Sequence, residues 1–326
     1  MTTVTPYTAD QGSSDQAPVD QEPANQGSAN QDSASQAGLR TYFSLFKPRV
    51  MSLVVFTGFV GLWMAPGEIS ILTAIIAIAC IAANAGAAGA INMWYDADID
   101  ALMERTAERA IPRGKVLPET ALYLGMWVSL VSALVMGFAV NWVAAGLLVA
   151  ANLYYVILYT MWLKRRSAQN IVIGGGAGAF PPMIGWAAVT GGLDWTPVAL
   201  FLLIFMWTPP HFWGLALYRM GDYGKAQVPM LPNIAGRFVT RIHILVYCVL
   251  LLPISLAPYF LETAGILYAI GTGVLSTVFL ILGIQLFLKD DDGKARALFG
   301  LSIAYLFLVF GLLVLDGRAV EFTSLI

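Results

Sequence analysis

Nine apolar runs, each long enough to cross a lipid bilayer, divide most of this chain between them. They lie near 50–66, 70–94, 119–139, 142–162, 170–190, 196–217, 241–260, 264–287 and 297–316. A helix needs about twenty apolar residues to span the hydrocarbon core. No water is available there for an unpaired peptide group, so such segments satisfy their backbone by becoming helical. The expected fold is all-α, a polytopic membrane bundle of about nine transmembrane helices. Composition agrees: only 12% of the 326 residues are charged, where a soluble domain has about a quarter. The runs AANAGAAGA (82–90) and GGGAGA (174–179) read as places where helices approach closely. No strand precedes them and Walker spacing is absent, so a phosphate loop is not expected.

The few charges are strongly segregated. Of the 18 basic residues, all but Arg318 fall in alternate connections. These hold Arg40, Lys47 and Arg49; Arg105, Arg109, Arg113 and Lys115; Lys164, Arg165 and Arg166; Arg219, Lys225, Arg237 and Arg241; Lys289, Lys294 and Arg296. The opposite connections carry none. By the positive-inside rule the N-terminus is cytoplasmic and the C-terminus periplasmic, which an odd number of spans requires. Residues 1–38 are rich in Gln, Ser, Asp and Ala, and contain neither Lys nor Arg. They are expected to be a disordered cytoplasmic tail ahead of a transmembrane domain over 39–326. The tail has the pattern of neither a signal peptide nor a transit peptide, so a bacterial inner membrane is the expected location. Cys80 and Cys248 sit inside apolar runs and read as small core hydrophobes. No basic patch is interleaved with exposed aromatics, so nucleic acid is not an expected partner.

One stretch departs from the general avoidance of charge: INMWYDADIDALMERTAERAIPRGK, residues 91–115. Asn92, Asp96 and Asp100 are spaced i, i+4, i+8, which places them on one face of a helix. Like charges one turn apart repel, and the repulsion grows where solvent is scarce. A cation between the carboxylates makes the pattern favourable. Oxygen donors without Cys or His point to Mg²⁺, which takes one or two carboxylates and completes its shell with water and phosphate. Arg105, Arg109 and Arg113 continue the four-residue repeat until Pro112 ends the register. Arginine grips phosphate oxygens through paired hydrogen bonds. The stretch therefore reads as a metal site followed by a diphosphate clamp, with Asp98, Glu104 and Glu108 as ordinary solvated charges. A matching place lies in LYRMGDYGKAQVPMLPN, residues 217–233, on the same side, where Asp222, Tyr223 and Lys225 follow Arg219.

Together these strings resemble the intramembrane prenyltransferases of the UbiA superfamily, and within it the haem-farnesylating branch. The superfamily pattern NxxxDxxxD stands as Asn92, Asp96 and Asp100. KPRVMSLVVFTGF (47–59), YTMWLKRRSAQNIVIGGGAGAFPPMIGW (159–186) and MWTPPHFWGLALYRMGDYGKAQVPMLP (206–232) are similar to further signatures of that branch. The resemblance covers about residues 40 to 315. It implies transfer of the farnesyl group of farnesyl diphosphate to a vinyl group of haem B, giving haem O and diphosphate. It also implies Mg²⁺ as cofactor, the lipid bilayer as surroundings, and a haem A synthase as the partner that takes the product. On this mapping Asn92, Asp96, Asp100 and Asp222 hold the metal. Arg105, Arg109, Lys164, Arg165 and Lys225 bind the diphosphate. The sequence departs from the pattern twice. Ala226 stands where the second motif commonly has another acid, and Gln227 stands where that branch usually has glycine.

Haem contacts are the least constrained part of the reading. His211 lies about eight residues inside the cytoplasmic end of its run, after Pro209 and Pro210, which are expected to break the helix. An ionisable residue at depth is a functional candidate, although a histidine bonded to carbonyls freed by the prolines is an equal alternative. His243 and Tyr223 are weaker candidates. Two other functions remain open: transfer to a different aromatic acceptor, as in quinone biosynthesis, and transport. Transporters place their sites near the midplane at broken helices, whereas these acids gather at one membrane face.

Overall fold

The computed structural model describes residues 38–317 and 321–323. The tail expected over 1–38 lies, but for Gly38, outside the described residues.

The chain is helical almost throughout. A short α1 (Leu39–Leu45) meets α2 (Pro48–Trp63) at a bend of 61°. Then follow α3 (Ile71–Tyr95), α4 (Ala97–Leu102), α5 (Pro118–Ala139) and α6 (Trp142–Leu153). From Tyr154 to Leu163 the helix of α6 continues as a π-helix. After it come α7 (Asn170–Gly174), α8 (Gly176–Thr190), α9 (Trp195–Tyr218) and α10 (Met220–Lys225). The chain closes with α11 (Leu231–Ser255), α12 (Ala257–Phe260), α13 (Ile266–Leu288) and α14 (Asp292–Asp316). Among the described residues, 8 helices are long and apolar enough to cross a membrane, or 9 if the bent α1–α2 pair is one span. The expected helical bundle is the observed one. Among the described residues the only strands pair in parallel, β1 (Glu68–Ser70) beside β2 (Glu321–Thr323), with Ile69 opposite Phe322.

Close packing explains the small-residue runs. α2 lies against α8 so tightly that a Cβ on Gly185 would stand 2.0 Å from the Gly58 carbonyl oxygen. A Cβ on Gly174 would stand 2.2 Å from the Tyr159 ring, and the next glycine, Gly175, meets Thr208. These glycines seat the π-helix and α9 against α7 and α8, as the packing reading expected. The two largest of four buried clusters among the described residues fill most of the interior. One joins α2, α3, α6 and α8 through Leu62, Ile81, Leu148 and Ile184. The larger unites α9, α11, α13 and α14 through Leu203, Trp213, Ile244, Phe279 and Tyr305.

Two expectations about helix limits are corrected. α9 runs unbroken through Pro209 and Pro210. Ser302 of α14 straddles the prolines, accepting from Trp207 Nε1 at 2.8 Å through its carbonyl and bonding His211 Nδ1 at 2.6 Å through its hydroxyl. A neighbouring helix thus holds the segment straight where the backbone ladder is interrupted. The connection after α9 is also shorter than expected, since α10 and the start of α11 are helical. α11 carries its own irregularity at Gly236, whose φ of 82° lies outside the helical region.

All five basic connections meet at one end of the bundle. Lys47 bonds Asn92, Lys164 and Arg165 pair with Asp96, and Lys225 pairs with Glu104 at 3.6 Å. Arg237 grips both Asp290 and Asp292 at 2.7 Å. At the opposite end, Gly67, Glu68, Asp194, Trp195 and Thr263 line a shallow cavity.

Candidate active site

The centre of the charged end is the junction of α3 and α4. α3 stops at Tyr95 because Asp96 leaves the helical region, with φ −95° and ψ 10°. The ladder nevertheless carries across: Asp96 N donates to Asn92 O at 3.0 Å and Asp100 N to Asp96 O at 2.8 Å. Asn92, Asp96 and Asp100 therefore keep their four-residue spacing. All three are buried, at 4%, 0% and 1% exposure.

Two buried carboxylates demand compensation, and the surrounding elements supply cations. Lys164, at the end of the π-helix, pairs with Asp96 Oδ2. Arg109 pairs with Asp100 Oδ2. The Asn92 side chain donates to Asp96 Oδ2 at 2.6 Å and to Thr160 Oγ1 at 3.2 Å, while Lys47 donates to its Oδ1 at 2.9 Å. Arg165 approaches Asp96 Oδ1 only to 3.5 Å.

The arginines do not continue the helix, which corrects the expectation that their four-residue repeat extends that of the acids. α4 ends at Leu102 because Met103 is extended, with φ −100° and ψ 129°. Residues 103–116 fold back as successive turns. Thr106 Oγ1 caps the Asp100 carbonyl at 2.8 Å, which brings Arg109 onto Asp100 from a loop. Arg113 pairs with Glu108. Arg105 reaches toward the other connection, where burial raises the Tyr223 hydroxyl and the Arg105 charge offsets part of that rise.

That second connection faces the first but stays apart from the buried acids. Asp222 lies 3.7 Å from Arg219, and Lys225 with Glu104 is mostly exposed. Among the described residues no three His, Cys, Asp or Glu side chains form a group able to hold a metal. The structure thus brings Asn92, Asp96, Asp100, Arg109, Lys164 and Arg165 together, and sets Asp222, Tyr223 and Lys225 opposite. Gln227 adopts φ 52°, the left-handed conformation for which glycine is suited. The expected glycine of the related branch and the observed backbone agree.

Asp98, set aside on sequence, has a definite role here. It accepts both ends of the Arg165 guanidinium, at 2.6 and 2.7 Å. Arg165 also donates to the Tyr95 carbonyl at 2.8 Å and lies 4.9 Å from the Tyr95 ring centroid. The guanidinium holds the Asp98 carboxyl below the usual carboxylate range. Sequence reasoning also missed Lys47 and Thr160. Lys47 stood in a quoted signature string, but only the turn at Pro48 reveals that it points back to Asn92.

The oxygens present suit a hard divalent cation. Asp96 Oδ1 and Asp100 Oδ1 are buried without a hydrogen-bond partner, a costly arrangement unless a cation or donor uses them. Two carboxylates and a neutral amide oxygen make the donor set Mg²⁺ prefers, with the rest of its shell left to water and phosphate.

Both histidines are oriented by hydrogen bonds. Ser302 Oγ donates its proton to Phe299 O at 2.6 Å, so His211 Nδ1 donates to Ser302. His243 Nδ1 faces the Val239 carbonyl at 2.8 Å and donates likewise. Each imidazole keeps a lone pair on Nε2 when neutral. His211 is sandwiched between Trp207 and Phe299, with centroids at 4.4 and 4.7 Å. It is not bonded to carbonyls freed by the prolines.

Comparison with known proteins agrees with this architecture. The model of the UbiA prenyltransferase family matches residues 54–311. The chain is 53% identical over 285 residues to protoheme IX farnesyltransferase of Sinorhizobium fredii, covering 86% of this chain and 90% of that one. It is 55% identical over 281 residues to protoheme IX farnesyltransferase of Parvibaculum lavamentivorans, covering 85% and 88%. Among solved structures, a digeranylgeranylglyceryl phosphate synthase superposes with TM-score 0.72 at 20% identity, over 85% of this chain and 98% of that one. A UbiA homologue from Archaeoglobus fulgidus bound to GPP and Mg²⁺ gives 0.61 at 16% identity, over 83% and 99%. At such identities the superpositions speak for the fold. The chain belongs to the UbiA prenyltransferase family, alongside the protoheme IX farnesyltransferases.

Proposed function

We propose that this chain transfers the farnesyl group of farnesyl diphosphate to a vinyl group of haem B, releasing diphosphate and giving haem O. The observation that carries the reading is the buried pair Asp96 and Asp100, each with one oxygen that lacks a hydrogen bond, inside a ring of Lys47, Arg109, Lys164 and Arg165. Such a site suits a metal-bound diphosphate and little else. The haem acceptor rests on the relatives named protoheme IX farnesyltransferase.

In the reaction the C1–O bond of the farnesyl ester breaks and its electron pair leaves with the diphosphate. The allylic cation is attacked by the terminal vinyl carbon, forming a C–C bond and leaving a cation on the vinyl carbon next to the ring; one water adds there, completing the hydroxyethyl group, and its proton goes to the released diphosphate. Asn92, Asp96 and Asp100 would hold Mg²⁺, which would supply Lewis-acid stabilisation of the leaving charge. Arg109, Lys164 and Arg165 lie ready to bind diphosphate oxygens, and fixed donors at a developing charge are worth several kcal/mol. Arg105, Tyr223, Lys225 and Asp222 form the facing wall of the same site. Asp98 aims Arg165. The isoprenoid tail lies between helices, where the apolar surroundings keep water from the cation. His211, through Nε2, is the haem contact, with His243 second.

The chain is a polytopic membrane protein. The segregation of basic residues supports an inner-membrane orientation with the N-terminus and the site on the cytoplasmic side. Haem A synthase is the partner such a product calls for. The test is expression in a bacterium that makes farnesyl diphosphate, followed by mass analysis of extracted haems. Haem O is expected. Haem B alone, in cells holding well-folded protein, contradicts the reading, and a prenylated quinone precursor transfers it to another acceptor.

A further inference from the structure

Lys47 departs from ordinary backbone behaviour. It is a non-glycine residue at φ 49° and ψ 55°, in the left-handed region, and it precedes a proline, which disfavours helical conformations for the residue before it. Strained residues of this kind persist where the surroundings over-determine them, and they gather at functional sites. Here the strain sits at the 61° bend between α1 and α2. It directs the side chain across α3 near Gly89, to end on Asn92 Oδ1 at 2.9 Å.

The orientation of the Asn92 amide is fixed independently. Its nitrogen is committed to Asp96 and Thr160, so its oxygen is the atom that Lys47 holds. That oxygen is also the only neutral donor of the Asn92–Asp96–Asp100 face. A divalent ion that takes it has to displace the ammonium. The wider charge pattern adds to the barrier. Lys47 is buried close to Arg109, Lys164, Asp96 and Asp100, and burial followed by the two neighbouring cations brings the pKa of its ammonium down to about 7; below that pH three cations face two carboxylates. A bare divalent ion adds to this surplus, whereas a metal–diphosphate ester, which is net negative, relieves it.

We propose that Lys47 acts as a built-in counter-cation, excluding a divalent metal from Asn92 until a diphosphate is present and then binding that diphosphate itself. The inference rests on the proposed function and adds an order of events. Metal and isoprenoid diphosphate enter together, and Lys47 passes from the amide to a phosphate oxygen. No covalent step is involved.

The test uses Mn²⁺ as the probe, with the purified full chain in nanodiscs at about pH 6, where Lys47 is charged, and free Mn²⁺ read by electron paramagnetic resonance. Titrations are run with and without farnesyl thiodiphosphate, an unreactive analogue. Wild type is expected to hold Mn²⁺ weakly alone and firmly with the analogue. Lys47→Met is expected to bind Mn²⁺ alone about tenfold more tightly, because a like charge close by has been removed, and to bind the analogue more weakly. Lys47→Gln keeps a hydrogen bond to Asn92 without charge and is expected to show the same tightening, while Lys47→Arg keeps the wild-type pattern. Unchanged or weaker Mn²⁺ binding in both neutral variants overturns the role of Lys47 alone. Wild type that retains no more Mn²⁺ than Asp96→Asn, even with the analogue, overturns the metal-site reading as well.

Discussion

At the scale of single residues, the division of labour among the acids is sharper than their spacing suggested. Asp96 and Asp100 are buried and each has an oxygen without a hydrogen bond, while Asp98 spends both of its oxygens on Arg165. Asp96→Asn and Asp100→Asn should each lower farnesyl transfer by about a hundredfold or more, with size-exclusion profile and melting midpoint retained. Substantial turnover in both variants would contradict the assignment. Asp98→Asn should cost much less, and its effect on stability has a definite pH dependence. The Asp98 carboxyl is held low by the Arg165 guanidinium, so the pair stabilises the fold above the ordinary carboxylate range, near pH 4. The contribution disappears as pH falls through the lower value in the folded protein. Melting midpoints of wild type and Asp98→Asn should therefore differ at pH 7 and draw together as pH falls below about 4. A difference that persists at low pH would show that the charge is not the cause.

At the scale of elements, what the sequence made legible was governed by periodicity, and what escaped it was governed by tertiary contact. Asn92, Asp96 and Asp100 were found because four-residue spacing survives the α3–α4 junction. Arg109 reaches Asp100 by a folded-back loop, held by Thr106, and not along a continued helix. The π-helix over Tyr154–Leu163 had no signature in composition, yet its extra residue per turn sets Thr160 toward Asn92 and Lys164 toward Asp96. Such helices recur at functional sites. The prolines of α9 were expected to break it because local rules cannot register Ser302, 91 residues away from His211 in sequence. Glycine packing was legible and can be tested within one helix. Gly185→Ala drives a methyl group into the Gly58 carbonyl, whereas Gly178 of the same helix has nothing within 4 Å. Gly185→Ala should destabilise by about 1–3 kcal/mol, read as a lower melting midpoint and a poorer yield of monodisperse protein. Gly178→Ala should be close to neutral. Equal effects at the two positions would refute the close approach of α2 and α8.

At the scale of the whole molecule, segregation of charge is the organising fact. Apolar spans fix the bundle, and the basic connections, alternate in sequence, meet at one end around two buried carboxylates. Family membership removes the ground for a transporter, and the ring of cations at a membrane face is what an isoprenoid diphosphate requires: a polar head held at the surface and a tail between helices. The central claim is that Asp96 and Asp100 use a divalent metal to release diphosphate as haem B is farnesylated. The most direct measurement is a single reaction in nanodiscs with haem B and farnesyl diphosphate, following haem O by mass and diphosphate by a coupled assay. Wild type with Mg²⁺ should produce the two in equal amounts, with both lost on chelation and in Asp96→Asn. Haem O formation undiminished by chelation, or diphosphate release without haem O, would contradict the account.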